Sequence, residues 1–163
     1  PAQTDRGATA TTAGWGFAVV TGGDGDADDS AVEIHSRCGR VTTDTQHAEY
    51  IGAQRATNNT AELTAIARAL EHVIADQSGR PTLIRYDSTY AANIVTGQWR
   101  ARANKGLAAR IRSLWATAHD HLSGQLWALM QPSCCKRLLE KIREIPPALG
   151  RLSPITAIVL VAQ

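Results

Sequence analysis

Two acidic residues, Glu62 and Asp87, stand where carboxylates can act jointly. Asn59 is a good N-cap residue, and Glu62 lies three places on, where a capping-box acid belongs. Leu63, Ile66, Ala67, Leu70, Val73 and Ile74 then recur at three- and four-residue spacing, which predicts one buried face of a helix. Ser78-Gly79-Arg80-Pro81 stops that helix. Thr82 to Tyr86 reads as a short buried strand with Asp87 at its carboxyl end, where ligand chemistry collects in open α/β sheets. If the helix packs on the sheet, the two acids face each other across a small gap. Paired carboxylates on rigid elements suit a hard divalent cation, which takes oxygen ligands. A plainer reading stands beside this one: Glu62 completes a capping box, and Asp87 caps a helix starting near Thr89.

The remaining elements must position those acids. Gly14 to Val20 predicts a strand opened by a glycine turn, and Gly22 to Ser30 a turn of Gly and Asp. Ala31 to Ser36 alternates apolar and polar residues, the pattern of a half-exposed antiparallel strand, and Arg40 to Gln46 reads as a third. A short helix over Thr89 to Trp99, a basic connection, a helix over Gly106 to Leu122 and a strand over Gly124 to Leu129 follow. Trp115 and Trp127 are expected in the core, and His35 and His47 on the surface. His119, Asp120 and His121 read as a polar helix end rather than a metal cluster. The expected architecture is α/β: a mixed sheet, antiparallel meander first and parallel strands after, with helices packed on it.

At 163 residues the chain can bury a substantial core as one domain. We place that domain at residues 1–130 and treat 131–163 as a divergent tail whose fold the sequence leaves open. The tail carries Cys134, Cys135, an amphipathic stretch with Glu140 and Glu144, and an apolar run from Ile155 to Ala162. That run is too short to cross a bilayer, which takes ~20 residues. A net charge of +2 permits a polyanionic partner without demanding one. Three cysteines make no disulfide framework and no C-x-x-C zinc spacing. The opening residues lack a basic-then-apolar signal pattern, so an intracellular setting is expected.

The block Asn58-Asn59-x-x-Glu62-Leu63, a long helix, then a strand ending Tyr86-Asp87-Ser88-x-Tyr90 resembles the ribonuclease H family. From Ala13 to about Leu129 the order of elements is similar to that family's. The resemblance implies a ribonuclease H-like fold and hydrolysis of the RNA strand of RNA–DNA hybrids with Mg²⁺ or Mn²⁺. Two ions between four carboxylates are implied, with Glu62 and Asp87 at the helix and strand positions. Thr4-Asp5-Arg6-Gly7 precedes Gly14-Trp15-Gly16 at nearly the family distance, so Asp5 takes the opening-strand position. A fourth acid has no match after Leu129; Glu140 and Glu144 are the only later acids, at a spacing typical of a solvated helix face. Its loss would impair catalysis.

On the substrate side, the resemblance implies that Asn58 and Asn59 read the hybrid's minor groove, where RNA shows its 2′-hydroxyls. It assigns further hybrid contacts to Thr89 and Tyr90, to Trp99 in the basic run Arg100, Arg102 and Lys105, and to Asn104 and Lys105 on the DNA backbone. No protein partner or membrane is implied, and a monomer is expected. Two other readings stay open. One is a hybrid-binding module of the same fold without catalysis. The other is the ribonuclease H part of a reverse transcriptase-type polyprotein.

Overall fold

In the computed structural model, residues 12–21, 32–76, 78–130 and 156–162 are described. Five strands and three helices follow in the order β1 (Gly14–Thr21), β2 (Val32–Arg40), α1 (Asn58–Ala75), β3 (Thr82–Tyr86), α2 (Thr89–Val95), α3 (Lys105–His121), β4 (Leu126–Met130) and β5 (Thr156–Ala162). The strands form one sheet in the order β2-β1-β5-β3-β4. β1 pairs antiparallel with β2, while β3 pairs parallel with β4. β5 sits between the two pairs, parallel to β1 and antiparallel to β3. The segment whose fold the sequence left open thus supplies the middle strand.

α1 is the helix on which the core is built. It packs against β1, β5 and α3. Leu63, Ile66, Leu70 and Val73 are all at most 1 % exposed. Each such side chain contributes about 1.5–3 kcal/mol by leaving water. Ala61, Ala65 and Ala69, also fully buried, allow close approach on the same helix. From β1, Trp15 and Phe17 lie in this core with ring centroids 6.5 Å apart. Trp15 Nε1 donates to the Arg40 carbonyl at 3.1 Å, tying the hairpin together. A Cβ at Gly39 would meet Trp15 Cζ2 at 2.8 Å, so the ring demands glycine there.

Four expectations need correction. The helix expected over Thr89–Trp99 ends at Val95, with Thr96 as its cap and Gly97 at positive φ just beyond. The third antiparallel strand over Arg40–Gln46 is absent. β2 runs on to Arg40, and Val41 N–H adds one bond to the Ala13 carbonyl. Asp44 Oδ1 then accepts from Gln46 N–H at 2.9 Å, and this Asx turn bends the chain away. The cap of α1 is Thr57, not Asn59. Thr57 and Thr60 close the capping box with each other, which frees Glu62 from that duty. Trp127 is 52 % exposed because it lies on the face of β4 opposite to the buried Leu126, whereas Trp115 does pack against the core.

Candidate active site

Glu62 sits on the second turn of α1, beyond the cap, and Asp87 immediately follows β3. The cap of α2 is Ser88, whose Oγ accepts from Ala91 N–H at 3.1 Å, so Asp87 is not used as a cap either. Both local alternatives for the acids are therefore filled by neighbouring residues. Glu62 Oε1 accepts from Asn58 Nδ2 at 2.7 Å. Glu62 Oε2 accepts from Ser88 Oγ at 2.5 Å. That second bond joins the second turn of α1 to the cap of α2, 26 residues further along the chain, and points the carboxylate toward the end of β3.

Burial raises the pKa of Glu62 above the ordinary 4.5; the Ser88 hydroxyl opposes this, the nearby Asp87 charge adds to it, and Asn58 again opposes it. The structure thus brings Glu62 and Asp87 into electrostatic contact, and it seats Asn58 and Ser88 on the first of them. Two carboxylates of this kind fit one hard divalent ion in donor chemistry. Among the described residues no third His, Cys, Asp or Glu joins them. Asp5, Glu140, Glu144, Cys134 and Cys135 lie outside the described residues. Extending the register of β5 on β3 (Ile84 opposite Val161, Arg85 opposite Leu160) sets Ile158 level with Asp87. The middle strand, Thr156 to Ala162, carries no acid at all.

α2 leads from the acid pair to an open cleft of about 1090 Å³. At ~1.5 Å per residue the helix spans only about 10 Å. The cleft is lined by Tyr90, Ile94, Gln98, Trp99 and the run Arg100 to Ala103, with Lys105 closing it. Neither acid lines it. Tyr90 is half-buried, Trp99 is 50 % exposed, and Lys105 opens α3 in solvent. Thr89 is exposed at the start of α2, and its carbonyl accepts from Asn93 Nδ2. Asn59 is exposed on the first turn of α1. Asn104 is only 7 % exposed, and its Oδ1 accepts from Gln54 N–H at 2.8 Å.

A family model for ribonuclease H matches residues 18–139, 122 of the 163. The chain belongs to the ribonuclease H family. The mixed sheet with helices packed on it is accordingly a ribonuclease H-like α/β fold. At family level this means a hydrolase that acts on RNA–DNA hybrids and generally uses divalent metal ions. No curated protein and no solved structure matched the chain. Among the described residues no helix is long and apolar enough to cross a membrane.

Three residues around the acid pair and the cleft take roles that the sequence analysis did not assign them. Ser88 holds Glu62 across the gap between elements. Arg112 Nε and a terminal nitrogen donate to the carbonyls of Ile94 and Trp99, at 3.0 and 2.7 Å, and pin the α2–α3 connection. Gln54 pairs with Asn104 from 50 residues away. Ser88 follows a suspected acid and was accessible in principle; the other two depend on tertiary folding alone.

Proposed function

We propose that this chain is an endonuclease that hydrolyses the RNA strand of RNA–DNA hybrids, with Glu62 and Asp87 holding Mg²⁺ or Mn²⁺. The observation that carries this reading is the convergence of the two carboxylates, with Glu62 already oriented by Asn58 and Ser88. The exposed Asp87 adds its negative charge beside the partly buried Glu62 carboxylate, and a cation between them offsets that cost. A bound divalent ion supplies Lewis acidity and a water made more acidic, which is what hydrolysis of a phosphodiester requires. Asp5 is the third ligand in this reading, carried over from the family pattern.

The chain's own groups do the rest. Asn58 and Ser88 hold the Glu62 carboxylate in one orientation, so it need not reorganise when substrate arrives. Asn58, bonded to Glu62, and its exposed neighbour Asn59 meet 2′-hydroxyls in the hybrid's minor groove in this reading. Thr89 and Tyr90 continue this line along α2. Trp99 and Lys105, with Arg100 and Arg102, receive the phosphate backbone in the cleft; Asn104, also expected on the DNA backbone, is buried with its Oδ1 taken by Gln54 N–H. Such contacts bind without regard to sequence and weaken with salt.

A labelled hybrid incubated with and without Mg²⁺ tests the proposal. Mg²⁺-dependent cleavage of the RNA strand that disappears in Glu62→Gln and Asp87→Asn supports it. Metal-independent cleavage, or cleavage untouched by both substitutions, sinks it. One observation favours a second reading, a hybrid-binding module without catalysis: only two carboxylates converge among the described residues, and β5 brings none. Tight, salt-sensitive hybrid binding with no cleavage in either metal would select that module.

A further inference from the structure

The acid pair and the basic cleft must keep a fixed separation if both are to touch one duplex, yet the cleft rests on a connection between two helices. The element that fixes it lies elsewhere in the sequence. Gln54 and Asn104 make a reciprocal pair: Gln54 N–H donates to Asn104 Oδ1, and Asn104 N–H donates to Gln54 Oε1, both at 2.8 Å. Asn104 has φ +53, a left-handed conformation that Asn tolerates better than other residues with a side chain. It is the N-cap residue of α3, yet its side chain makes no capping bond. The carboxamide has been turned away from its own helix and spent on Gln54.

Beside the pair, two backbones meet. Gly52 has φ +104, and a Cβ there would meet Leu107 N at 2.5 Å and the Gly106 carbonyl carbon at 2.7 Å. The loop that ends in the Thr57 cap of α1 is thus pressed onto the first turn of α3. Gln54 stands three residues before that cap and eight before Glu62. Asn104 stands between Ala103 and Lys105, both in the cleft wall. The pair therefore joins the start of the acid-bearing helix directly to the cleft.

We propose that Gln54 is a positioning residue that latches the basic–aromatic cleft to the start of α1 and so sets its distance from the Glu62–Asp87 pair. Both hydrogen bonds of this pair run between Gln54 and Asn104, so Gln54 acts through that residue. The proposal rests on the hybrid-nuclease reading for its purpose, though not for its geometry. Gln54→Leu removes the acceptor for Asn104 N–H, whereas Gln54→Glu keeps an acceptor oxygen at the same reach.

The test uses the full chain, a fluorophore-labelled RNA–DNA hybrid across a salt series, and backbone amide exchange over residues 98–104. For Gln54→Leu, hybrid Kd is expected to rise about two- to tenfold, in line with loss of one intramolecular hydrogen bond. The salt slope should become shallower as cleft contacts are lost. Exchange across residues 98–104 should quicken several-fold relative to the rest of the chain. Where cleavage is measured, KM should rise with kcat kept. Gln54→Glu should return all of these to within about twofold of wild type. Unchanged exchange over residues 98–104 in Gln54→Leu overturns the latch, as does a Gln54→Glu chain no better than Gln54→Leu. A general loss of stability that speeds exchange everywhere alike also overturns it. If wild type binds no hybrid, the functional reading falls instead, and the exchange data still decide the latch.

Discussion

The acid pair and the basic cleft are built by different means. Glu62 and Asp87 are set by elements whose own side chains are the core: Ala61 and Leu63 flank Glu62 on α1, and Ile84 and Tyr86 of β3 precede Asp87, all four buried. Their positions follow from hydrophobic packing, which is dense and tolerates little displacement. The cleft wall from Gln98 to Ala103 is mostly exposed and has no helix or strand of its own. It is held by a few polar ties, those of Arg112 to the Ile94 and Trp99 carbonyls and of Asn104 to Gln54. A site placed by packing should fail only with the fold; a surface placed by polar ties should fail one tie at a time.

The sharpest test removes packing from the core face of α1, the helix that carries Glu62. Leu70→Ala opens a cavity at a fully buried position and should cost about 2–5 kcal/mol in denaturant unfolding. Catalysis and hybrid binding should then be lost together, on unfolding. If the cleft loses affinity well before the chain melts, the contrast drawn above is wrong.

Next in size are the acids themselves. Glu62→Gln should lower cleavage at least 100-fold while leaving hybrid Kd within a few-fold, measured by single-turnover cleavage and fluorescence titration. The pH dependence has a definite sign. A carboxyl whose folded pKa is raised above 4.5 keeps its proton longer in the fold than in the unfolded chain. Its stabilising contribution is full below 4.5 and is lost as pH rises through the folded value. Melting temperature against pH should show this component in wild type, and Glu62→Gln should lack it. Added Mg²⁺ at neutral pH should raise the melting temperature of wild type more than that of the variant.

Arg112→Ala cuts two ties of the cleft. We expect about 1–2 kcal/mol of destabilisation by thermal melting and a clear loss of hybrid affinity, without the abolition of cleavage at saturating substrate that Glu62→Gln gives. Lys105→Ala should do less: a few-fold weaker binding and a salt slope shallower by about one.

The smallest effect sits away from both regions. His35 on β2 stacks on His72 of α1 with centroids 4.4 Å apart, beside Phe17. Burial lowers the His72 pKa below 6.5, the His35 charge lowers it further, and Asp76 opposes. Stability from this stack is present above 6.5 and is lost as pH falls through the lowered folded value. His72→Phe should flatten a shallow drop in melting temperature over that window and leave hybrid binding unchanged.

The packed region was the legible one. A period of three to four residues from Leu63 to Ile74 and a short apolar run ending at Asp87 carry helix and strand in plain view, because burial leaves its pattern in the chain. The cap of α1 was misread by two places because Thr57, Asn58, Asn59 and Thr60 can all cap, and only the folded backbone chooses. The run from Ile155 is apolar in the manner of a strand, but its composition leaves open whether it folds and between which neighbours it lies. Trp127 is expected inside because an aromatic on an apolar strand reads as core, and only the fold shows that Leu126 rather than Trp127 takes the buried face. The latch was illegible for a simpler reason: polar pairs at long separation have no period.

The place of β5 bears on how the chain is made. Its partners β1 and β3 leave the ribosome well over a hundred and about seventy residues earlier, respectively. Until β5 emerges, each presents an unsatisfied edge, the kind of surface that nucleates association between nascent chains. Closure across so long a separation is slow, since the loop entropy is spent before any pairing is gained. Translation speed and chaperone access should therefore govern the yield of this protein more than its final stability does.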